Sequence, residues 1–253
     1  MQVFAHDVVP ATEHAAGLIA LQTDERIESD MRRLLPPDMP LFVSRVPSAP
    51  EVTRETLAQM EGHLTGAATL LPPSARFSVI GYGCTSGSAQ IGTDTVADRV
   101  REGANTRGVT NPVSALLAAC AALGIRRLAL LSPYVAAVSD QLRTVLAENG
   151  VQTPVFGSFD VSQEARVIRI APASIIDAAE TLMRSGDADA VFLSCTNLNT
   201  LDTIAELEDR TGLPVLSSNL VLAWHMARLA GRQVTFESCL TRAWRPDLEG
   251  SAA

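Results

Sequence analysis

Short apolar runs alternate along the chain with longer segments in which apolar residues recur at helical spacing. The runs of strand length lie at 17–21, 41–46, 77–82, 128–131, 155–159, 190–194 and 214–216. The helical segments lie between them, at 51–71, 112–123, 135–148, 172–185, 201–211 and 220–229. Because strands that alternate with helices form parallel sheets with helical crossovers, the pattern predicts an α/β fold. It leaves open whether the chain forms one large open sheet or two four-stranded domains that face each other across a cleft.

Turn-forming residues at 107–115, RGVTNPVSA, mark the domain boundary that the sequence predicts. On this interpretation the first α/β lobe comprises residues 1–110 and the second comprises residues 111–229. The tail, residues 230–253, is polar and ends in Gly, Ser and Ala. We expect this tail to return to the first lobe.

The charge of the chain narrows the range of partners. Its 253 residues carry a formal charge of −8, which gives no electrostatic reason to approach nucleic acid or an anionic membrane. The longest apolar run, residues 113–125, is too short to cross a membrane, and residues 1–12 lack the basic start and apolar centre of a signal peptide. We therefore expect a cytoplasmic protein that binds neither nucleic acid nor membranes.

Four cysteines occur, and their spacing argues against a metal site. No CxxC pair and no Cys/His cluster of zinc spacing is present, so no metal is expected. Cys120 lies inside an apolar helical segment and Cys239 lies in the tail, so we assign neither a role. Cys84 and Cys195 remain.

The contexts of these two cysteines match. In FSVIGYGCTSGS and in AVFLSCTNLNT, a buried strand is followed by Cys-Thr and then by a polar turn that leads into a helical segment. The pattern predicts that Cys84 and Cys195 lie at equivalent carboxyl ends of strands. There, the N–H groups and the dipole of the following helix would favour the thiolate over the thiol. Four adjacent polar side chains are candidates for binding a carboxylate or an enolate oxygen: Thr85, Ser86, Thr196 and Asn197.

Two thiols that face one carbon atom permit two kinds of chemistry. One thiol can remove a proton that the other returns on the opposite face, or one can add covalently to the substrate. The alternative is that both cysteines are small buried apolar residues, which is the common fate of an intracellular cysteine. The repeated context favours the chemical interpretation for the pair.

With these motifs the chain resembles the aspartate/glutamate racemase superfamily, in the group of maleate cis-trans isomerases, arylmalonate decarboxylases and ectoine-utilisation protein A. The resemblance covers about residues 15–230. It includes GYGCTSGS, the block VTNPVSALLAACAALGIRRLALLSPY, FLSCTNL and TGLPVLSSNLVLAWHMARLAG.

The resemblance implies two pseudo-symmetric Rossmann-like domains with parallel sheets and an active site in the cleft between them. It implies no cofactor, a small carboxylate or amino-acid-derived substrate, and a homodimer or higher homo-oligomer. The paired catalytic cysteines of the family map to Cys84 and Cys195. Its carboxylate-binding positions map to Thr85, Ser86, Tyr134 and Thr196. Tyr134 also fits independently, because a phenol at a strand end can donate a hydrogen bond to an oxyanion.

The chain departs from the maleate isomerases near the first strand, where LQTDERIE replaces a Pro-Ser-Ser-Asn type of segment. Asp24 would repel a dicarboxylate unless it is protonated, whereas it could pair with an amino group. This segment resembles the ectoine-utilisation branch, whose implied substrates are amino-acid derivatives. Asp24 is also a candidate for capping the helical segment that follows it. Glu164 lies near a substrate-binding amide of the family and is a further candidate.

The sequence therefore predicts a cofactor-independent racemase or isomerase that acts through two cysteines. Two alternatives remain open. One is an arylmalonate-type decarboxylase in which Cys195 is the proton donor and Cys84 is dispensable. The other is a non-catalytic two-lobed protein that binds a small acid.

Overall fold

The structure, a computed structural model, describes residues 1–10, 13–184 and 186–243. Within these residues the chain forms eight strands that belong to two separate sheets. The strands are β1 (Ala15–Leu21), β2 (Leu41–Val46), β3 (Phe77–Gly83), β4 (Thr106–Thr110), β5 (Arg127–Ser132), β6 (Gln152–Ser158), β7 (Ala190–Leu193) and β8 (Val215–Ser217).

The two sheets repeat one topology. The strand order is β2-β1-β3-β4 in the first sheet and β6-β5-β7-β8 in the second, and every neighbouring pair is parallel. The predicted α/β class is confirmed, and the chain forms two four-stranded sheets rather than one large sheet. The pseudo-symmetric parallel fold that the resemblance implies is confirmed as well.

Helices connect the strands and cover the sheets. They are α1 (Ile27–Leu34), α2 (Arg54–Gln59), α3 (Glu61–Thr69), α4 (Thr85–Ile91), α5 (Thr93–Gly103), α6 (Pro112–Leu123), α7 (Ala136–Glu148), α8 (Glu164–Val167), α9 (Pro172–Met183), α10 (Ile204–Thr211), α11 (Ser218–Leu229) and α12 (Cys239–Ala243). A short 3-10 helix, Leu201–Thr203, precedes α10. None of the helices in the described part of the chain is long and apolar enough to cross a membrane.

Local sequence explains where α6 begins and ends. The side chain of Asn111 accepts hydrogen bonds from the backbone N–H groups of Val113 and Ser114, each at 3.1 Å, and Pro112 occupies the first turn, where no N–H is needed. Gly124 ends the helix with φ +67°, a conformation that glycine adopts without steric cost. The predicted helix at 112–123 is confirmed.

Each of the seven predicted strands corresponds to an observed one, but β4 has no predicted counterpart. Its sequence, TRGVT, is polar and only partly buried because β4 lies at the edge of its sheet. The prediction of one helix at 51–71 is wrong. Residues before Arg54 form a loop, Thr53 caps α2, and α3 begins separately at Glu61.

The chain after β8 packs against the first sheet. A Cβ atom at Gly81 in β3 would lie 2.6 Å from Met226 Sδ of α11, so the glycine permits this close packing. Further along, the N–H of Thr235 donates to the carbonyl oxygen of Leu34 at 2.9 Å. The predicted lobe boundary at 110/111 stays a prediction, and residues 244–253 of the tail lie outside the described residues.

Candidate active site

Cys84 lies at the carboxyl end of β3 and at the amino end of α4. Strand β3 is buried along its whole length, and its register with β1 pairs Gly83 with Ala20. Cys84 has extended backbone angles, and its Sγ atom accepts a hydrogen bond from the N–H of Gly87 at 3.2 Å. The thiol therefore caps the first turn of α4 while its side chain is buried.

Cys195 occupies the equivalent position after β7 but with an unusual backbone. Its φ is +108°, a value that costs a non-glycine residue about 1–3 kcal/mol. The N–H of Cys195 donates to Ser218 Oγ at 2.9 Å, and the N–H of Asn197 donates to Cys195 Sγ at 3.3 Å. These contacts hold the strained residue. The predicted turn follows Cys195 and leads into the 3-10 helix Leu201–Thr203 and then α10.

Two hydrogen bonds join the turns that carry the cysteines. The hydroxyl of Thr85 donates to Ser218 Oγ at 2.7 Å, and the same oxygen accepts the N–H of Cys195. The hydroxyl of Thr196 donates to the carbonyl oxygen of Gly83 at 3.2 Å. Each Cys-Thr motif is thus bonded to the opposite half, and the two cysteine turns have a fixed relative position.

A small cavity lies beside Cys84 between the two halves. Its volume is about 20 Å³, enough for about one water molecule. Cys84 and Ser86 line it from the first half, and Tyr134 and Glu164 line it from the second. None of the described residues that line it is a Lys, Arg or His. Its only ionisable oxygens are therefore acidic or phenolic.

Residues 47–53, here called the covering loop, close this cavity from the first half. Ser48, Glu51 and Val52 line the cavity. The N–H of Val52 donates to the carbonyl oxygen of Ser162 at 2.8 Å, the N–H of Glu164 donates to that of Pro50 at 3.0 Å, and Glu51 forms an antiparallel bridge with Gln163. The remaining space is too small for a substrate, and the covering loop forms one of its walls.

Tyr134, Glu164 and Asn197 form a buried network around the second thiol. The hydroxyl of Tyr134 lies 3.0 Å from Cys195 Sγ and donates to Glu164 Oε1 at 2.6 Å. The side-chain amide of Asn197 donates to Glu164 Oε2 at 2.8 Å, and its oxygen accepts the N–H of Glu25 at 3.0 Å. Burial raises the pKa of Glu164, and the nearby Asp24 raises it further, while the bonds from Tyr134 and Asn197 oppose the shift.

The two carboxyl oxygens of Asp24 have different surroundings. Its Oδ1 accepts the N–H groups of Arg26 and Ile27, both at 2.7 Å, and so holds the turn that leads into α1, although the residue at the N-cap position is Arg26. Asp24 Oδ2 is buried and has no hydrogen bond of ordinary geometry among the described residues, although the side chain of Thr196 lies close enough to lower the pKa of this carboxyl group. Burial raises the pKa of Asp24, and the two N–H groups oppose this shift.

The N–H groups of Gly87 and Asn197 favour the thiolates, but burial outweighs them in this closed arrangement. Burial raises the pKa of Cys84 to about 12, and the opposing bond from Gly87 is weaker. Burial also raises the pKa of Cys195 well above its ordinary value, and the charge of Glu164 raises it further. Desolvation and two neighbouring carboxylates outweigh the hydrogen bonds that favour the thiolate.

The structure brings all nine predicted site residues to the junction of the two halves. Cys84, Ser86, Tyr134 and Glu164 line the cavity, whereas Cys195, Asn197, Asp24, Thr85 and Thr196 lie in the layer behind or beside it. Sequence reasoning missed Ser218, which bonds to both cysteine turns. Its signal was present, because SSN directly follows the predicted strand at 214–216 and parallel strands end at one edge of a sheet.

Cys120 and Cys239 lie away from this junction. Cys120 is buried within α6, where burial alone raises its pKa to about 12. Cys239 begins α12, and its N–H donates to Glu208 at 3.0 Å. Neither thiol lines the cavity.

Residues 99–240 match the family model for arylmalonate decarboxylase, a stretch that is more than half of the chain. The chain belongs to the arylmalonate decarboxylase family. The matched stretch contains Cys195, Tyr134 and Glu164 but not Cys84. The part of the site that the family model covers is therefore the second cysteine and its network.

Individual relatives extend the match to isomerases. The arylmalonate decarboxylase of Bordetella bronchiseptica is 35% identical over 123 residues, and the chain spans about half of that enzyme, 51%. The maleate isomerase of Geobacillus stearothermophilus is 27% identical over 175 residues, which cover 66% of this chain and 69% of that enzyme. The chain is therefore similar both to a decarboxylase and to an isomerase.

The fold matches over nearly the whole described chain. The crystal structure of the maleate isomerase Iso from Pseudomonas putida S16 superposes with a TM-score of 0.83 at 23% identity, covering 92% of this chain and 100% of that one. The shared fold therefore includes the strand end that carries Cys84, which lies outside residues 99–240.

Proposed function

We propose that the chain is a cofactor-independent isomerase that uses Cys84 and Cys195 to racemise, or to isomerise cis-trans, a small carboxylic acid. Among such acids we propose an amino-acid derivative as the substrate. The cytoplasmic location and the homo-oligomer that the sequence predicts stay predictions.

One observation carries this proposal: the two cysteine turns are bonded to each other across the junction. Thr85 and Cys195 both donate to Ser218 Oγ, and Thr196 donates to Gly83. A pair of thiols that must act on opposite faces of one carbon atom needs a fixed separation, because small displacements of catalytic groups lower rates strongly.

The chemistry follows from the acidity of the substrate carbon. One thiolate removes the proton alpha to the carboxylate, and the opposite thiol delivers its own proton to the other face of the enolate. Charge on the enolate oxygens must be stabilised by donors, each worth about 3–4 kcal/mol when it is well placed. Ser86 in the cavity lining is the proposed donor. The hydroxyl protons of Thr85 and Thr196 are engaged by Ser218 and Gly83, so these two residues fix the cysteine turns instead.

The acidic surroundings support an amine-bearing substrate over a dianion. The described residues that line the cavity include Glu164 and Glu51 and no cationic side chain, so a second substrate carboxylate would meet repulsion. Asp24 Oδ2, buried and unpaired, is the proposed partner of a substrate ammonium group, which would restore a hydrogen bond to this oxygen.

The experiment is proton NMR in D2O with the purified protein and a panel of aspartate, glutamate, diaminobutyrate, its acetylated forms and maleate. We expect loss of an alpha-proton signal from an amine-bearing acid, and no loss with Cys84→Ser or Cys195→Ser. Cys120→Ala serves as the matched control and keeps full activity, because this thiol is buried within α6 and has no bond to either cysteine turn among the described residues. Formation of fumarate from maleate would support isomerisation but contradict the amine-bearing substrate.

A decarboxylase is the second candidate, and the extent of the family match favours it. The arylmalonate decarboxylase model covers Cys195 but not Cys84, and the relative with 35% identity is an arylmalonate decarboxylase. In that case Cys195 alone would protonate the carbanion that remains after loss of CO2. Phenylmalonate serves as the test substrate. Its conversion to phenylacetate at equal rates by the unmodified protein and by Cys84→Ser would favour this candidate.

A further inference from the structure

Three ionisable groups form a continuous hydrogen-bonded row that runs from the wall of the cavity to the second thiol. Cys195 Sγ lies 3.0 Å from Tyr134 Oη, and Tyr134 Oη lies 2.6 Å from Glu164 Oε1. All three side chains are at least 95% buried. The hydroxyl of Tyr134 thus connects the thiol of Cys195 to a buried carboxyl group.

The network fixes which oxygen of Glu164 can hold a proton. Asn197 accepts the N–H of Glu25 through its side-chain oxygen, so its amide nitrogen must point at Glu164 Oε2 as a donor. Oε2 is therefore an acceptor in either state of the carboxyl group. Any proton on Glu164 resides on Oε1, the oxygen that faces Tyr134.

The row has two self-consistent arrangements. When Glu164 is ionised, Tyr134 donates its single proton to Oε1 and Cys195 donates its S–H to Tyr134 Oη. When Glu164 is protonated, Oε1 donates to Tyr134 and Tyr134 donates to the Cys195 thiolate. Both arrangements satisfy every group in the row, and they differ only in the direction of the two bonds.

Resting on the proposed function, we propose that Glu164 receives the Cys195 proton through Tyr134, so that the thiol and the carboxyl group share one negative charge. The S–H bond of Cys195 breaks as an O–H bond forms on Tyr134, and the former hydroxyl proton of Tyr134 forms an O–H bond with Glu164 Oε1. The products are a thiolate, a neutral tyrosine and a carboxylic acid. No electrons are lost and no co-reactant is needed.

The electrostatics of the site favour a shared charge over two separate charges. Burial raises the pKa of Glu164 and of Cys195, and the charge of Glu164 raises the pKa of Cys195. Asp24 also faces both groups, and Cys84 feels the charge of Glu164 from the other half. Moving a proton along the row keeps the net charge constant, whereas losing it to solvent would place a second anion in the same buried volume.

The two thiols consequently differ. Cys84 Sγ accepts the N–H of Gly87, and the hydroxyl of its neighbour Tyr82 is directed to Met60 Sδ at 3.8 Å. No carboxylate is bonded to either group among the described residues. Glu164 therefore serves Cys195 specifically, as a residue that acts through Tyr134, and Cys195 is the thiol that becomes the base without releasing a proton to water.

The first test needs no substrate. The rate of iodoacetamide alkylation of Cys195 is followed across pH by mass spectrometry of the peptide that contains it. A thiol that shares a charge with Glu164 gives a two-step profile with a plateau, and Glu164→Gln gives one step that lies below the second step of the unmodified protein, because the repelling charge is gone. Asp24→Asn is the matched control, since it removes the other carboxylate and keeps the plateau.

The second test separates proton transfer from simple repulsion. If Glu164 only repels the thiolate, Glu164→Gln makes Cys195 more acidic and raises the rate of alpha-proton exchange. If Glu164 receives the proton, the exchange rate at the pH of the plateau falls about 100-fold, because no internal acceptor remains for the Cys195 proton. The exchange rate of Tyr134→Phe falls by a similar factor. The exchange rate of the double variant falls no further, because the row acts as one unit.

These outcomes distinguish the inference from the proposed function. A one-step alkylation profile in the unmodified protein, or faster exchange in Glu164→Gln, overturns the shared charge. Absence of exchange with every compound in the panel counts against the proposed function alone, because the alkylation profile still reports whether Cys195 and Glu164 titrate as a pair.

Discussion

The hydroxyl of Thr85 donates a 2.7 Å hydrogen bond to Ser218 Oγ, 133 positions further along the chain. Ser218 begins α11, which packs on β3, so the bond joins the turn after the third strand to the helix that follows the eighth. The same oxygen accepts the N–H of Cys195, a residue with φ +108°. Ser218 thereby connects both cysteine turns through one atom.

Ser218→Ala tests this connection. The change leaves the hydroxyl of Thr85 and the N–H of Cys195 buried without their acceptor, which should lower the free energy of unfolding by about 1–3 kcal/mol. Turnover should fall by more than the loss of folded protein explains, because the thiols no longer have a fixed relative position. Urea unfolding and the D2O exchange assay measure the two effects.

A buried serine elsewhere provides the control for that change. Ser44 donates to the carbonyl oxygen of Ala67 at 2.7 Å, remote from the cysteine turns. Ser44→Ala should lose stability similarly and keep its turnover. Equal turnover in the two variants would mean that Ser218 has a structural role only.

Gly87→Ala should displace the Cys84 thiol. A Cβ atom at this position would lie 2.8 Å from Cys84 Sγ and from Tyr82 Oη, so the thiol must move and its bond from the Gly87 N–H is strained. We expect a large loss of exchange activity with a native circular dichroism spectrum. Gly62→Ala in α3, where nothing lies within 4 Å of the new Cβ, should keep its activity and gain up to about 1 kcal/mol. An active Gly87→Ala variant would contradict the position assigned to Cys84.

A reversible disulfide tests whether the covering loop must move. Glu51 and Gln163 lie directly opposite each other in an antiparallel bridge, and such pairs have Cα separations of about 4.5–5.5 Å, which a disulfide can span. The double variant Glu51→Cys with Gln163→Cys should be inactive when oxidised and active when reduced. The single variants control for the loss of each side chain. Full activity of the oxidised double variant would show that the substrate reaches the thiols by another route.

Stability should depend on pH through Glu164. Burial raises the pKa of this acid above its ordinary value of 4.5, so the folded protein holds a proton that the unfolded chain releases. Its contribution to stability is fully present below the unfolded pKa and is lost as the pH rises through the folded pKa. Glu164→Gln should therefore lose less unfolding free energy than the unmodified protein between about pH 4.5 and neutrality.

Glu28 gives the control of opposite sign. Its bond from Arg32 lowers its pKa, so its contribution is present above the unfolded pKa and is lost as the pH falls through the folded pKa. Glu28→Gln should reduce the loss of stability on acidification instead. Parallel pH curves for Glu164→Gln and the unmodified protein would contradict a raised pKa at Glu164.

Most of the strands and helix α6 could be predicted from the sequence, because they depend on local patterns of residues. Seven strands are read from apolar runs, and α6 is read from Asn111, Pro112 and Gly124, whose effects lie within one helix. Strand β4 is missed because an edge strand is half exposed and therefore lacks an apolar run.

The site is only partly readable because its contacts join distant parts of the chain. The two Cys-Thr motifs reveal themselves by repetition, but the bond between Tyr134 and Glu164 depends on how the loop before α8 folds back over β5. The direction of the pKa shift of Cys84 could not be predicted from the sequence either. The sequence shows the turn that donates Gly87 N–H, yet the dominant influence is burial, which only the packed structure reveals.

The most direct test of the two-thiol mechanism is to locate deuterium in substrate and product during the first turnovers in D2O. The substrate is one enantiomer of the acid whose alpha proton exchanges in the NMR panel. Cys195 and Cys84 on opposite faces predict that the product enantiomer carries deuterium while recovered substrate keeps its proton, because the proton delivered comes from the second, solvent-exchanged thiol. Product that retains the substrate proton, or unchanged turnover in Cys84→Ser, would contradict the account.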